Sequence, residues 1–402
     1  MSAVKAPTRR YEERKAAIVA SAIEVMNRKG VRGMTLAEVA ARLRLVPTGV
    51  IYYFRNKEEL AGACLLQSIG RFEELLAAGE AGRSARERLT LFLAAYFQLQ
   101  QQVTTGEACP LAVFNDMRAL DRAPVNEAFV NMFRRTRNLL SGPETADLPR
   151  LARNARTHLL LAEVFWTVAW LHAHDPEDFG RVSQRFAAVA ADGLAAPGAV
   201  WRPVPLPAPA CAVAPETSAE AFLRAATQLI NEKGYLGASV ERISARLNVT
   251  KGAFYHHNDT KDELVIACFD RTFEVMAGAI RQAEALGGNG LQTLATVAAN
   301  LVAYQLRGDA PLLRTSALTS APEALQPELL KRFDRLSYRF ASIISDGIAD
   351  GSIRPVDVNI AAQMVTAMIN AAAELHAFAP ELSPEAAADV FVRPFFEGLL
   401  TP

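Results

Sequence analysis

Shifted by 204 positions, this chain lies on itself without a gap from about residue 14 to residue 64. About 14 of those 51 pairs are identical, among them Asn27/Asn231, Lys29/Lys233, Gly30/Gly234, Gly33/Gly237, Arg42/Arg246, Lys57/Lys261, Glu59/Glu263 and Cys64/Cys268. Abundant alanine cannot produce so varied a set, and a period near 200 residues is far too long for a solenoid. The 402 residues therefore read as a tandem duplication of one domain-sized unit. Between the copies runs "APGAVWRPVPLPAPACAVAPE", residues 196–216. Its prolines fix φ and remove backbone donors, so it should be an extended, semi-rigid linker able to span about 60 Å. The expected division is a head at 1–64, a body at 65–195, the linker, a second head at 217–268 and a second body at 269–402.

Half the residues are hydrophobic, and alternating apolar patterns are scarce, which points to an all-α fold. In each unit the first 50 residues read as four helices. Ile18, Ala22, Val25 and Met26 share one helical face, as do Phe222, Ala226, Leu229 and Ile230. Gly30 and Gly234 are expected to close that helix in the αL conformation. Thr35 with Glu38 should make a capping box, and Ser239 keeps the cap position in the second copy. A tight turn centred on Arg44 or Asn248 follows, then a helix of about two turns, Pro47–Tyr53 or Lys251–His257. Asn56 to Glu59 and Thr260 to Glu263 each open a longer helix. Two short helices about a tight turn, the second too small to hold a core, form a helix-turn-helix.

A two-turn helix adds little stability but fits the major groove of DNA with its N-terminus leading. Thr48, Gly49, Gly252 and Ala253 let the backbone approach closely, and Pro47 costs nothing at the first helical position. Lys251 can donate to guanine or phosphate. Tyr52, Tyr53, His256 and His257 suit phosphate and sugar, as do Lys57 and Lys261 at helix N-termini. Thr35 and Ser239 offer hydroxyls nearby. Val50, Ile51, Phe54, Phe254 and Tyr255 are expected in the core. Net charge is zero, but residues 1–64 carry 12 Lys/Arg against 6 Asp/Glu, whereas residues 205–268 carry 6 against 7. The field that attracts a polyanion should sit on the first head.

Both stretches, "LRLVPTGVIYYFRNKEEL" and "LNVTKGAFYHHNDTKDEL", resemble the DNA-binding head of the TetR family of bacterial transcriptional repressors. The resemblance is strong over about 50 residues per copy and looser beyond. It implies an all-helical subunit in which a small head is followed by a body that binds an inducer and dimerises through its last two long helices. Residues carried over for DNA contact are Thr35, Pro47, Thr48, Tyr52, Tyr53 and Lys57, then Ser239, Thr250, Lys251, Gly252, His256, His257 and Lys261. The chain departs from the pattern where Ile51 replaces the aromatic kept at Tyr255, and where Asn258 replaces the Phe kept at Phe54.

Two units in one chain can supply internally the pair of heads that a palindromic operator requires, giving an intramolecular pseudo-dimer, or a homodimer of tandem chains. Phe114, Phe165, Trp166, Trp170 and His172 are candidate lining for a small apolar or aromatic inducer in the first body. No nucleophilic triad, phosphate loop, metal-ligand spacing or cofactor signature stands out, so an enzyme is not expected. Cys64, Cys109, Cys211 and Cys268 read as free thiols, and no apolar run spans a membrane, so a cytoplasmic protein is expected. A sensor or adaptor whose second head no longer binds DNA is the competing expectation.

Overall fold

The computed structural model describes residues 8–114, 120, 122–207, 219–250, 252, 260–308, 311–314 and 325–402. Among the described residues the fold is all-α, with two tandem units that each set a small head on a helical body, and the helix-turn-helix is described in full in head 1. Head 1 comprises α1 (Arg9–Gly33), α2 (Leu36–Arg42) and α3 (Pro47–Ile51), and α4 (Lys57–Glu80) runs from it into the body. Body 1 adds α5 (Ala85–Thr104), α6 (Ala123–Leu139), α7 (Arg150–Trp170) and α8 (Phe179–Asp192). Head 2 contains α9 (Ala219–Gly237) and α10 (Val240–Arg246), and α11 (Lys261–Ala285) leads out of it. Body 2 is built from α12 (Gly290–Arg307), α13 (Gln326–Ala349) and α14 (Val358–Ala371), then a π-helical turn at Ala388–Val392 and α15 (Arg393–Glu397).

Local chemistry explains most helix ends, with some changes from the sequence reading. Gly30 and Gly234 have φ of 69° and 68°, but ψ of 169° and 170°, so neither is αL. Each kinks its helix, which continues to Gly33 or Gly237. Arg44 and Asn248, at φ 56° and 53°, do turn the chain in the left-handed region. The Thr35 hydroxyl accepts from Glu38 N at 3.2 Å, but the box is half-built, because Lys29 Nζ takes the Glu38 carboxylate at 2.9 Å. Glu59 likewise reaches back to Arg55 N, one residue before the cap Asn56. Thr260 and Glu263 make the full reciprocal box.

One apolar core runs from head 1 through both bodies, while Phe222, Leu229, Ile243, Leu264 and Phe269 form a separate core in head 2. The halves join where α7 packs on α14 and α8 packs on α14 and α15. Main chain from Ala190 to Ala196 is stitched to the second unit on both sides. Leu194 N and Ala195 N donate to Phe396 O at 2.8 Å, Leu399 N to Ala190 O at 2.9 Å, and Arg354 N to Leu194 O at 2.9 Å. The Arg354 side chain donates to Gly193 O and Ala188 O, and the Arg156 side chain to Leu399 O. Gly193 is held at φ 67°, where a Cβ would collide with the carbonyl of Phe396. Nor does the described part of the linker hang free. Val204 N donates to Thr296 Oγ1, and Asn300 pairs with Val204 O and Leu206 N on α12.

Candidate nucleic-acid interface and internal cavity

At the tip of head 1, α3 has five residues and few ways to hide them. Val50 is fully buried and Phe54, four residues on, nearly so. Ile51 sits about 100° round the helix and is 46% exposed, so it is not the core residue expected from sequence. Val46 is 67% and Tyr52 73% exposed, and Pro47 and Thr48 are exposed beside them. A helix of five residues thus leaves an apolar tip presented to water. Tyr53 is half-buried and packs at 4.8 Å against Tyr11, with Tyr52 edge-on to Tyr53 at 5.1 Å. Thr35 is exposed, its hydroxyl engaged in capping α2.

Lys57 begins α4, where its Nζ donates to Arg32 O at 3.1 Å. Arg32 in turn donates from its guanidinium to Lys233 O at 2.5 Å, so the two heads touch at the ends of α1 and α9. In head 2, Ser239 caps α10 by accepting from Arg242 N, Thr250 and Gly252 are exposed, and Lys261 starts α11 half-buried. Burial holds the Lys261 ammonium below its ordinary value, against the opposing pull of Asp262. Lys251, His256, His257, Phe254, Tyr255 and Asn258 lie outside the described residues, as does nearly all of the expected Lys251–His257 helix.

A cavity of about 160 Å³ lies between the halves. The first unit lines it with Phe114, Phe165 and Trp166, as the sequence suggested, and also with Val113, Phe129 and His158. The second contributes Arg314, Ala367, Asn370, Glu374 and Phe378. Trp170 and His172 do not line it. The helical register of α7 turns Trp170 away into the core, edge-on to His174 at 5.7 Å, while His172 follows the end of α7 and is exposed. His158 Nε2 contacts Ala371 O at 2.8 Å, and its ring stacks on Phe378 at 4.3 Å. Arg314 and Glu374 pair at 3.2 Å. Sequence reasoning misses His158, Asn370, Glu374 and Phe378, because only the packing of one half on the other brings them to the cavity.

Elsewhere on α7, Glu163 is 1% exposed, and neither carboxylate oxygen has a hydrogen-bond partner. Burial pushes its carboxyl well above the ordinary carboxylate range. Cys64, Cys109 and Cys268 are free thiols, and Cys211 lies outside the described residues. Burial raises the Cys64 and Cys268 thiols to about 12, which keeps them protonated and inert. Among the described residues no group of His, Cys, Asp and Glu is placed to hold a metal, and no helix is long and apolar enough to cross a membrane.

Residues 18–64 and 222–268 each match the family described as bacterial regulatory proteins, tetR family. Residues 287–399 match the tetracyclin repressor-like C-terminal domain. Over 50 residues the chain is 44% identical to the Transposon Tn10 TetC protein of Escherichia coli, covering 12% of this chain and 25% of that protein. It is 28% identical over 131 residues to the HTH-type transcriptional regulator BetI of Rhizobium meliloti (strain 1021), covering 32% of this chain and 64% of that one. The chain thus spans less than two thirds of either relative's length. Among solved structures it is similar to the TetR family transcriptional regulator PfmR from Thermus thermophilus, at 23% identity and a TM-score of 0.37, covering 44% of this chain and 98% of that one. With the head sequence matched in both halves and a matching body behind the second, the chain belongs to the TetR family of bacterial regulatory proteins, as two tandem copies in one polypeptide.

Proposed function

We propose that the chain is a sequence-specific DNA-binding transcriptional regulator, a repressor released by a small apolar or aromatic ligand. The observation that carries this reading is the exposed tip of head 1, where Val46, Ile51 and Tyr52 face water beside Pro47 and Thr48. Its size suits the major groove, and its apolar side chains suit thymine methyl groups and the edges of bases. The excess of Lys/Arg over residues 1–64 supplies the attraction to phosphate.

The packing of α7 on α14 and of α8 on α15 supports an intramolecular pseudo-dimer, with each head reading one half-site about 34–36 Å apart. Val46-Pro47-Thr48 in one copy stands against Thr250-Lys251-Gly252 in the other, so the operator is an imperfect palindrome. Ligand in the bodies favours an arrangement of the heads that no longer matches both half-sites, and affinity falls by the ligand's differential binding energy. Such a regulator works in the cytoplasm. The near-neutral second head supports a second reading, in which that head contacts protein rather than DNA.

A gel shift with the double-stranded fragment upstream of the protein's own coding region tests the proposal at 50 and 200 mM salt. The expected result is retardation at low salt and an affinity lower by at least about 100-fold at high salt. Absence of a shift at 50 mM refutes DNA binding. Tyr52→Ala and Lys251→Ala then separate the heads, and loss of binding with the first alone selects the second reading.

A further inference from the structure

The cavity between the halves is tied to both heads by the same device. Asn27, in α1 of head 1, donates to Leu111 O at 2.8 Å and accepts from Val113 N at 2.9 Å. Asn231, its equivalent in α9 of head 2, donates to Leu312 O and accepts from Arg314 N, both at 2.9 Å. Val113 and Arg314, the residues whose amides are clamped, both line the cavity. A change of wall position there therefore pulls on the first helix of each head through one side chain.

The lining of the cavity is also unequal between the two copies. Along α7, α14 and the turn that follows α14, the 204-residue shift pairs Ala367 with Glu163, Asn370 with Trp166 and Glu374 with Trp170. Where the cavity is lined by Ala367 and Glu374, the related positions carry the larger side chains of Glu163 and Trp170, both packed in the interior. The two copies have thus diverged at positions where one contributes to the cavity wall and the other does not.

We propose that this cavity is a single effector site per chain, built by both units. It takes a neutral one-ring aromatic bearing a hydroxyl or amide and signals to both heads through Asn27 and Asn231. The proposal rests on reading the chain as a ligand-responsive regulator. Phe114, Phe129, Phe165, Trp166 and Phe378 supply ring faces and edges. At about 160 Å³ the space is close to that of an apolar cavity of about 150 Å³ known to hold benzene. Its polar groups are the Asn370 amide, the paired Arg314 and Glu374, and the His158 ring, whose Nε2 is already engaged with Ala371 O. Together they offer donors and acceptors without net charge, which suits a hydroxyl or amide and repels a second carboxylate.

Isothermal titration of the full chain with phenol, benzamide and benzoate tests the site. One equivalent of phenol or benzamide per chain is expected, with benzoate at least about tenfold weaker. Ala162, on α7, also lines the cavity; Ala162→Phe from the first unit and Asn370→Phe from the second should each weaken binding tenfold or more with unchanged circular dichroism. Two equivalents per chain, no binding of either neutral probe at 10 mM, or full binding in Asn370→Phe overturns the shared site. The coupling is read without DNA, by amide hydrogen exchange. The bound probe should alter exchange near residues 27–33 and 231–234, with Asn27→Ala abolishing the first change alone and Asn231→Ala the second alone. A response confined to one head in the unsubstituted chain overturns the dual connection. The gel shift above fails or succeeds independently of both readouts.

Discussion

Replacing Glu163 by Gln should change how stability depends on pH. In the native state the carboxyl is 1% exposed, its oxygens have no hydrogen-bond partner, and burial raises its proton affinity well above the ordinary value near 4.5. Above about pH 4.5 the unfolded chain releases this proton while the native chain keeps it. Stability contributed by Glu163 is therefore full below pH 4.5 and falls as pH rises, by about 1.4 kcal/mol per unit, until the native carboxyl ionises. Between pH 5 and 7.5 that slope amounts to at most about 3.5 kcal/mol. Gln has nearly the same shape and carries no titrating proton. Thermal unfolding of the two proteins in parallel buffers cancels every other titrating group. Glu163→Gln should gain on the parent with rising pH, by up to about 7 °C at pH 7.5 if each kcal/mol moves the midpoint about 2 °C. Parallel midpoints over pH 5–7.5 would refute the idea that α7 buries an uncompensated acid.

Tyr52→Ala should lower DNA affinity at least tenfold in a binding titration while moving unfolding by less than about 0.5 kcal/mol, because the ring is largely exposed. Lys57→Ala should weaken binding to all sequences alike and reduce the salt slope by about 1, read from titrations at several salt concentrations. Gly193→Ala should destabilise the chain by more than about 3 kcal/mol in urea unfolding. It combines positive φ with a Cβ driven into the carbonyl of Phe396, at the seam between the units.

Local patterns carried much of the fold because they repeat. The left-handed turn at Arg44 and Asn248 and the caps at Thr35, Ser239, Asn56 and Thr260 follow from side-chain chemistry within four residues. Periodicity alone missed Ile51, since a five-residue helix buries too narrow a face to predict by neighbours. Aromatic content pointed to Phe114, Phe165 and Trp166 but equally to Trp170, whose direction is decided by the register of α7. The second wall of the cavity was hidden because it comes from residues some 200 positions away. Asn27 and Asn231 were visible as an identical pair, yet what they grip, two loops of weak sequence similarity, required the fold.

The stitching around Gly193, Arg354 and the C-terminal residues has a consequence for how such a protein works in a cell. Two separate subunits come apart on dilution, so a scarce homodimer is partly lost as single subunits that hold only half an operator. In the pseudo-dimer proposed above, each head's companion is present at an effective concentration set by the tether rather than by expression level. Occupancy should accordingly rise with the first power of the number of molecules, so that a few copies per cell remain fully assembled.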